Sequence, residues 1–454
     1  MKLKYLIKGL PVEIRGPKEI EITGISEHSK LTSPGNLFIA KREGVRYIGD
    51  ALRGGAIAVL TDIFNPFHKV TQLITSDIPL VECKLAERFY EVPKGKLFTI
   101  GITGTNGKTT TSFLIRHFIE TCGLIGTIEV IIGGHHLPAE LTTPDTVSLQ
   151  KMLYEMVRAH ETAAVMEVSS HSLDQGRVRG VNFDLGIYTN LTQDHLDYHG
   201  NMEQYKAAKL KLSTQSKKVI VNRDSSFGLD GITYGIEGPA DYRAEEIKLS
   251  AEGLSFSLQG VRFTSRLIGR FNIYNCLAAI AAGREYGLSL EVLRDRLALF
   301  PGVPGRLERV PHARGAHVFV DYAHTDDALR NVLSALTELK KGKIITVFGC
   351  GGDRDREKRP KMAMAVEAYS DEVIVTSDNP RSEDPLDICQ QVVAGFSKKA
   401  HYCVEPERRK AIHQAVLQAN PGDIVLIAGK GHETKQLIGG RTIDFDDRKV
   451  AIEV

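Results

Sequence analysis

The chain has 454 residues, of which 42% are hydrophobic and 25% charged, and its formal net charge is +2. This composition is ordinary for a soluble globular protein. The chain is longer than a single hydrophobic core usually supports, so we expect two or three domains. The charge argues against wholesale nucleic-acid binding. No apolar run suits a signal peptide or approaches the roughly 18 residues of a membrane helix, so we expect no membrane insertion. The cysteines are scattered without a Cys-x-x-Cys pair, which indicates free thiols in a reducing cytoplasm.

The first predicted domain is residues 1–96, and the Pro-Lys-Gly sequence at residues 93–95 is its predicted linker. Apolar patterns predict short strands at residues 12–14, 20–23, 35–40 and 57–60, and a short helix at residues 47–53.

A glycine-rich stretch at residues 101–111, Gly-Ile-Thr-Gly-Thr-Asn-Gly-Lys-Thr-Thr-Thr, follows an apolar strand-like run and precedes an amphipathic helical run. This pattern predicts a phosphate-binding loop, because glycine backbone N–H groups and a helix N-terminus attract anions. Lys108 would reach the terminal phosphates and the Thr109 hydroxyl would bind Mg²⁺. The standard motif has glycine five residues before Gly107, where this chain has Ile102, so the loop is a variant.

The second predicted domain, residues 97–302, alternates strands and helices. Such alternation predicts a parallel α/β sheet with helices on both faces. Residues 244–263 alternate apolar and polar side chains, which predicts an antiparallel excursion before helical residues 273–299. Strands are predicted at residues 163–166, 183–188 and 218–221, and helices at 148–159 and 202–212.

Polar side chains follow the predicted strands of this domain, where open α/β sheets bind ligands. Glu167 ends one strand. Because the chain also has a phosphate loop, we favour the interpretation that Glu167 binds Mg²⁺ over the interpretation that it is an ordinary carboxylate at a strand end. Residues 189–200 follow the next strand and contain two histidines and two aspartates. We expect some of these four side chains to bind metal or phosphate, but the composition of the segment does not indicate which ones.

The third predicted domain, residues 303–454, is a second α/β unit close to Rossmann-like, with right-handed crossovers. Polar loops follow its four predicted strands. Arg354, Arg381 and Glu433 in these loops would suit a zwitterionic ligand, because arginine grips carboxylate and carboxylate receives ammonium. The strands are at residues 317–320, 344–348, 372–375 and 424–427, and the loops at 321–324, 349–355, 378–381 and 428–433.

Taken together, these motifs resemble the Mur ligase family, the ATP-dependent amino-acid ligases of peptidoglycan synthesis, over essentially the whole chain. The Asp-Asn-Pro-Arg sequence at residues 378–381 is similar to the pattern that members adding the third stem-peptide residue use to select meso-diaminopimelate. Lysine-adding relatives usually lack that arginine. The matching motifs are residues 103–110, 167–171, 194–200, 269–275 and 321–324.

The resemblance implies an α/β fold of three domains: an N-terminal uridine-binding domain, a central P-loop ATPase-like parallel sheet and a C-terminal Rossmann-like domain. It implies a cytoplasmic, monomeric enzyme that activates the D-Glu carboxylate of UDP-MurNAc-L-Ala-D-Glu as an acyl-phosphate. The amine of meso-diaminopimelate then forms an amide through a tetrahedral intermediate, releasing ADP and phosphate. Mg²⁺ would be held by Thr109 and Glu167, and a second ion by His195 with a carbamate on Lys209. By pattern alone Lys209 would be a surface helix lysine.

The resemblance also implies roles residue by residue. The catalytic residues would be Lys108, His195, Lys209 and His324. The ATP-binding residues would be Gly104, Thr105, Asn106, Gly107, Lys108, Thr109, Thr110, Asn272, Asn275, Arg306 and Asp321. The UDP-MurNAc-dipeptide would contact Ser29, Thr142, Thr143, Ser169, Gln175 and Arg177. The amino acid would contact Arg354, Asp378, Asn379, Pro380, Arg381, Gly429 and Glu433.

Two positions depart from the family pattern. His28 and Lys30 flank Ser29 where the family usually has Asp-Ser-Arg. The resemblance therefore implies a uridine contact for Ser29 and for neither of its neighbours. Asp326 replaces a proline at a helix start, where aspartate is also acceptable. The alternatives are a lysine-adding ligase, a folylpolyglutamate synthase-like ligase, and a nucleotide-dependent switch or assembly ATPase. Phosphate release that depends on the dipeptide acceptor would separate a ligase from an ATPase.

Overall fold

The structure is a computed structural model that describes residues 1–92, 95–312 and 315–454. Pro93 and Lys94 of the predicted linker lie outside the described residues. The chain divides into two compact units. The first unit is Met1–Gly104, Ile119–Val221 and Phe227–Ile232, and the second is Thr105–Phe118, Asn222–Ser226 and Thr233–Val454. The predicted boundaries at 96/97 and 302/303 stay predictions.

The N-terminal segment forms a sheet of strand order β1-β5-β4-β3-β2, parallel except for β1. Its strands are β1 (Glu13–Arg15), β2 (Gly24–Ser26), β3 (Asn36–Ile39), β4 (Ala58–Thr61) and β5 (Thr71–Ile74). Its helices are α1 (Leu3–Leu6), α2 (Ile48–Arg53) and α3 (Ile78–Tyr90), with 3-10 helices at Ser29–Leu31 and Arg42–Tyr47.

The strand predicted at residues 20–23 is wrong, because the strand lies at Gly24–Ser26. Glu21 makes only an isolated bridge with Lys2. The partner segment turns into α1 at Leu3, so it is too short to continue a ladder. Ile22 is nonetheless fully buried, which explains the apolar alternation that misled the prediction.

The middle segment contains the predicted parallel sheet. In the first unit the strand order is β12-β11-β6-β10-β7-β8-β9, and only the β7–β8 and β8–β9 pairs are antiparallel. The strands are β6 (Phe98–Thr103), β7 (Cys122–Ile125), β8 (Glu129–Ile132), β9 (His135–Pro138), β10 (Ala163–Glu167), β11 (Phe183–Tyr188) and β12 (Ser216–Asn222). The helices up to β12 are α4 (Lys108–Phe118), α5 (Thr146–Arg158), α6 (Ser170–Asp174), α7 (Leu196–His199), α8 (Met202–Leu210) and the 3-10 helix Ser213–Gln215.

The predicted antiparallel excursion is confirmed by β15 (Glu245–Ser250), β16 (Gly253–Leu258) and β17 (Val261–Ser265), which follow the parallel pair β13 (Ile232–Gly235) and β14 (Tyr242–Arg243). Helical residues 273–299 form two helices, α9 (Arg270–Tyr286) and α10 (Leu290–Leu299). The break comes at Gly287, whose φ of 109° lets its N–H cap the end of α9.

The C-terminal segment forms a sheet of order β18-β19-β23-β20-β21-β22, parallel except for β18. Its strands are β18 (Glu308–Val310), β19 (His317–Asp321), β20 (Ile344–Phe348), β21 (Glu372–Val375), β22 (Tyr402–Val404) and β23 (Ile424–Ala428), and β24 (Lys435–Ile438) and β25 (Arg441–Asp444) form a separate hairpin. Its helices are α11 (Asp326–Thr337), α12 (Lys358–Glu367), α13 (Pro385–Val393), α14 (Arg408–Gln418) and α15 (Asp447–Ile452).

Both faces of this C-terminal sheet are buried. Along β20, Ile344 and Phe348 belong to one apolar cluster, whereas Ile345 and Val347 belong to another. Helices α11, α12 and α13 contribute to the first cluster, and α14 and α15 to the second. Because side chains alternate along a strand, this arrangement places helices on both faces and confirms the predicted α/β class.

All six cysteines lie within the described ranges and are free thiols. No helix in those ranges is long and apolar enough to span a bilayer.

Candidate active site

The glycine-rich loop joins the end of β6 to the start of α4. Gly104 has a φ of 149°, and a Cβ there would lie 1.8 Å from the Thr189 hydroxyl oxygen, so no other residue fits. Gly107 has a φ of 86°, in the left-handed region that favours glycine. The Lys108 ammonium donates a hydrogen bond to the Thr105 carbonyl oxygen at 2.8 Å, which folds the lysine back over its own loop.

Three of the predicted ATP-binding residues meet in the second unit. The Arg306 guanidinium donates to the Thr109 hydroxyl at 3.4 Å and lies 4.7 Å from the ring centroid of Tyr322. The Asp321 carboxylate accepts a 2.6 Å bond from the backbone N–H of Leu307 and so fixes the segment that carries Arg306. Burial raises the pKa of Asp321, although the nearby Arg306 charge opposes this.

Other predicted ATP-binding residues pack α9 against α4. Asn272 and Asn275 are buried, and the Asn275 amide donates to Asn272 at 2.8 Å. Thr111 on α4 donates to Asn275 at 3.5 Å, and its neighbour Thr110 is also buried. Asn106 in the loop donates to a carboxylate on α11 at 3.5 Å. These amides therefore hold the helix that starts at the loop.

In the first unit, the Glu167 carboxylate is fully buried at the end of β10. It accepts hydrogen bonds from the backbone N–H of Thr127 at 2.9 Å and from the Thr127 hydroxyl at 3.0 Å. The same hydroxyl lies 3.1 Å from that of Thr142. Thr127 thus links a predicted metal ligand to a predicted substrate contact. No sequence pattern pointed to Thr127, because β7, the strand that leads to it, was not predicted.

Four of the predicted dipeptide contacts come together around one threonine. The Thr143 hydroxyl donates to the Glu167 carbonyl oxygen at 2.9 Å and accepts from the backbone N–H of Ser169 at 3.0 Å. The Arg177 guanidinium donates to the Thr143 carbonyl oxygen at 3.1 Å and to the Gln175 side chain at 2.9 Å. This network arranges polar groups in one place and includes an arginine suited to an anion.

Ser29, the remaining predicted dipeptide contact, begins a 3-10 helix in the N-terminal segment. Nearby, Glu27 accepts a 3.2 Å bond from the backbone N–H of Val147 at the start of α5. Lys41 lies 2.6 Å from the carboxylates of both Glu27 and Glu82. Burial, together with Glu27, raises the pKa of Glu82 well above its usual value. The sequence analysis did not single out this cluster.

Lys209 is buried, with 1% of its surface exposed, so the expectation from pattern alone that it is a surface lysine is wrong. Its ammonium donates to the Gly104 carbonyl oxygen at 2.9 Å and lies 4.4 Å from the ring centroid of Tyr205. The His195 ring lies 6.2 Å from the same tyrosine ring and 4.8 Å from the His171 ring. The structure therefore brings His195 and Lys209 to one tyrosine.

The predicted amino-acid loops share a partly buried hydrogen-bond network. The Asn379 amide donates to the Glu433 carboxylate at 2.9 Å. Lys430, which is fully buried, donates to Asn379 at 3.1 Å and to Glu433 at 2.8 Å. Burial raises the pKa of Glu433, but the Lys430 charge and the hydrogen bonds from Lys430 and Asn379 together outweigh burial, so the pKa is lowered. Gly429 is required here, because a Cβ would lie 2.6 Å from the Asp378 carboxylate.

Arg381 and two further predicted residues lie in neighbouring loops. The Arg381 guanidinium donates to the Gly352 carbonyl oxygen at 2.6 Å. Arg354 is exposed and donates to a backbone carbonyl of its own loop at 3.4 Å. The His324 ring nitrogen Nδ1 lies 2.8 Å from the Tyr322 carbonyl oxygen.

The sequence of the chain matches known protein families and known proteins. The family model for the Mur ligase middle domain matches residues 102–283, and that for the Mur ligase glutamate ligase domain matches residues 305–431. The UDP-N-acetylmuramoyl-L-alanyl-D-glutamate–2,6-diaminopimelate ligase of Chlamydia pneumoniae is 45% identical over 482 aligned positions, covering 100% of this chain and 99% of the relative. The chain belongs to the Mur ligase family.

Two further comparisons support this assignment. A protein of the same name from Solibacter usitatus is 44% identical to this Mur ligase and covers 96% of this chain and 94% of its own. A solved structure of a ligase of that name has a TM-score of 0.67 and 33% identity, covering 100% of this chain and 99% of its own. The resemblance identified from the motifs is thus confirmed.

Two residues beside predicted site residues of this Mur ligase also escaped the sequence analysis. Thr127 lies next to Glu167, and Lys430 lies between Asn379 and Glu433. Lys430 stands in a loop already recognised as functional, and a lysine flanked by two glycines was the available signal.

Proposed function

We propose that this enzyme is an ATP-dependent ligase that joins meso-diaminopimelate to the D-Glu carboxylate of UDP-MurNAc-L-Ala-D-Glu, with release of ADP and phosphate. The observation that carries the proposal is the partly buried network of Asn379, Lys430 and Glu433 beside the loop that holds Arg381. The names of the relatives, which specify 2,6-diaminopimelate, support the same substrate.

The first step needs positive charge, because a carboxylate must approach a triphosphate. An oxygen of the D-Glu carboxylate attacks the γ-phosphorus, and ADP leaves with the electron pair of the broken bond. Lys108 would bind the terminal phosphates, and Arg306 beside Thr109 would add a second cation. Asp321 would keep Arg306 in place through the backbone of Leu307.

The residues also fit magnesium. Mg²⁺ prefers oxygen ligands and usually binds only one or two protein side chains. The buried Glu167 carboxylate and the Thr109 hydroxyl each supply an oxygen ligand. His195 and a carbamate on Lys209 would hold a second ion, since a carbamate turns a buried cation into an oxygen ligand. Bound Mg²⁺ would neutralise phosphate charge.

In the second step the amine of the amino acid attacks the acyl carbon, loses a proton, and phosphate leaves. The Glu433 carboxylate, which already accepts from the Lys430 ammonium, offers an acceptor to the ammonium group of the amino acid, and Arg381 offers a fork for the distal carboxylate. The ammonium of lysine would meet the Arg381 charge instead, so the pocket would disfavour lysine.

Thr143, Ser169, Gln175 and Arg177 would bind the dipeptide acceptor, and Ser29 its uridine. We expect the enzyme to act in the cytoplasm as a monomer. Of the alternatives, a lysine-adding ligase would share this chemistry and differ in the amino acid. A folylpolyglutamate synthase-like ligase would not need the Asp-Asn-Pro-Arg loop. A switch or assembly ATPase would hydrolyse ATP without a dipeptide acceptor.

The experiment is an amino-acid competition assay with purified enzyme, ATP, Mg²⁺ and UDP-MurNAc-dipeptide. We expect tripeptide product from meso-diaminopimelate in preference to lysine, and phosphate release only when acceptor and amino acid are both present. ATP turnover independent of both would contradict a ligase, and preference for lysine would support the lysine-adding alternative.

A further inference from the structure

The backbone at Arg381 has an uncommon conformation. Its φ is 54°, in the left-handed region that only a few per cent of residues other than glycine adopt. The hairpin strand β24 holds it there: the Arg381 N–H donates to the Leu437 carbonyl oxygen at 2.9 Å, and the Gly439 N–H donates to the Arg381 carbonyl oxygen at 2.7 Å. Backbone strain of this kind persists where surrounding contacts impose it, and it concentrates at functional sites.

Glu383, two residues further on, is tied to a buried arginine. The Arg359 side chain has no exposed surface, and its two terminal nitrogens donate to the Glu383 carboxylate at 3.0 and 2.9 Å. Arg359 also donates to the Gly351 carbonyl oxygen at 3.2 Å. These bonds from Arg359 lower the pKa of Glu383 to about 2. One ion pair therefore anchors both the Arg381 loop and the glycine loop facing it.

The same two loops are joined a second time through Asp353. Its backbone N–H donates to Glu383 at 2.6 Å, and its carboxylate accepts from the Ser382 hydroxyl at 2.6 Å. The fit is close, because a Cβ on Gly352 would lie 1.9 Å from the Pro380 carbonyl oxygen. The Gly352 carbonyl in turn accepts from the Arg381 guanidinium, so this glycine loop sets the direction of that side chain.

We propose that Arg359 and Glu383 are positioning residues, which hold the Arg381 guanidinium in the orientation that selects an amino acid with a second carboxylate. The proposal rests on the proposed function. The ion pair would act through the two loops and would touch no substrate. A bidentate grip on a carboxylate demands accurate placement, so a loosened loop would lose selectivity before it loses the reaction.

The test is Glu383→Gln, which keeps the shape of the side chain and removes its charge. We expect the KM for meso-diaminopimelate to rise about tenfold to a hundredfold, the effect of a small misplacement. The preference over lysine should fall by a similar factor, while the KM values for ATP and the dipeptide acceptor stay unchanged. The matched control is Arg356→Gln, because Arg356 lies 3.1 Å from the same carboxylate but is 66% exposed. We expect this control to stay within about twofold of wild type, since exposed ion pairs contribute little.

An unchanged KM and preference in folded Glu383→Gln would overturn the proposal, as would an equal loss in the control. If Glu383→Gln fails to fold, Ser382→Ala removes the second tie at an exposed position. A preference that shifts towards lysine in Ser382→Ala would then support the proposal, and an unchanged one would overturn it. A wild-type enzyme that does not ligate meso-diaminopimelate would contradict the proposed function instead.

Discussion

The carboxylate of Glu167 accepts two hydrogen bonds from a single residue, one from the backbone N–H of Thr127 and one from its hydroxyl. The two residues are 40 positions apart in the chain and meet at the carboxyl ends of β10 and β7, neighbouring parallel strands. The pair fixes both oxygens of a buried carboxylate, which is what a metal ligand needs for a constant geometry.

Thr127→Val should weaken this arrangement while leaving the backbone bond in place. We expect kcat/KM to fall about tenfold and the Mg²⁺ concentration needed for half-maximal rate to rise, because loss of an outer hydrogen bond commonly lowers metal affinity 10- to 100-fold. The free energy of unfolding should fall by about 1 kcal/mol. The control is Thr121→Val, at an exposed threonine that pairs with Thr162. An unchanged Mg²⁺ requirement would contradict a role for Thr127 near the metal.

Lys108→Ala should abolish ligation. The lysine is expected to stabilise charge on the transferring phosphoryl group, and removing one such donor costs about 10²- to 10³-fold. Initial rates of tripeptide formation at saturating ATP measure the effect. Lys151→Ala, at an exposed lysine on α5, is the control and should leave the rate unchanged. Substantial activity in Lys108→Ala would mean that the glycine-rich loop is not the ATP site.

Lys209→Ala should lower ligation by about 10²-fold or more, because a buried oxygen ligand would be lost. Added formate or acetate should restore part of the rate, since a short carboxylate could replace the proposed carbamate. Lys206→Ala on the same helix is the control, and its rate should not respond to these anions. ¹³C NMR of the protein supplied with ¹³C-labelled bicarbonate checks the proposed carbamate independently. No response of Lys209→Ala at any anion concentration would leave the carbamate role unsupported.

Arg381→Ala should impair the use of meso-diaminopimelate far more than that of ATP. Stranding one member of a charge pair costs about 2–5 kcal/mol, which should appear in kcat/KM for the amino acid. Competition between meso-diaminopimelate and lysine measures the change in preference. If the variant still prefers meso-diaminopimelate to the wild-type degree, another residue selects the substrate.

His432 should make folding stability depend on pH. Burial, and then the charge of Arg306, lower the pKa of His432 from its ordinary 6.5 to about 4. Between these values the unfolded chain binds a proton that the folded protein does not, so the free energy of unfolding falls as pH falls. Denaturant unfolding from pH 7 to 4.5 should show a shallower fall in His432→Gln than in wild type. The exposed His135→Gln is the control, and equal slopes in all three proteins would contradict this assignment.

Local patterns predicted much of the fold. Residues 163–166 and 183–188 are apolar runs, and both are buried strands of the parallel sheet. Local sequence patterns did not predict strands whose side chains are mostly exposed, and they misplaced a strand where the pairing is short. Strand β9 is exposed along its length, and the hairpin β24–β25 is largely exposed, so neither shows an apolar run. The strand predicted at residues 20–23 does not form, because the segment that would pair with it, at Lys2, turns into α1 at Leu3.

The sequence by itself determined the family and predicted the phosphate loop and the Asp-Asn-Pro-Arg loop, because each depends on residue types at short, regular spacing. Only the tertiary structure decided that Lys209 and Lys430 are buried and that Arg359 pairs with Glu383, 24 positions away. Burial and ion pairing depend on which segments the sheet order brings together. A local motif does not contain that order, so the residues that support the site emerged only from the fold.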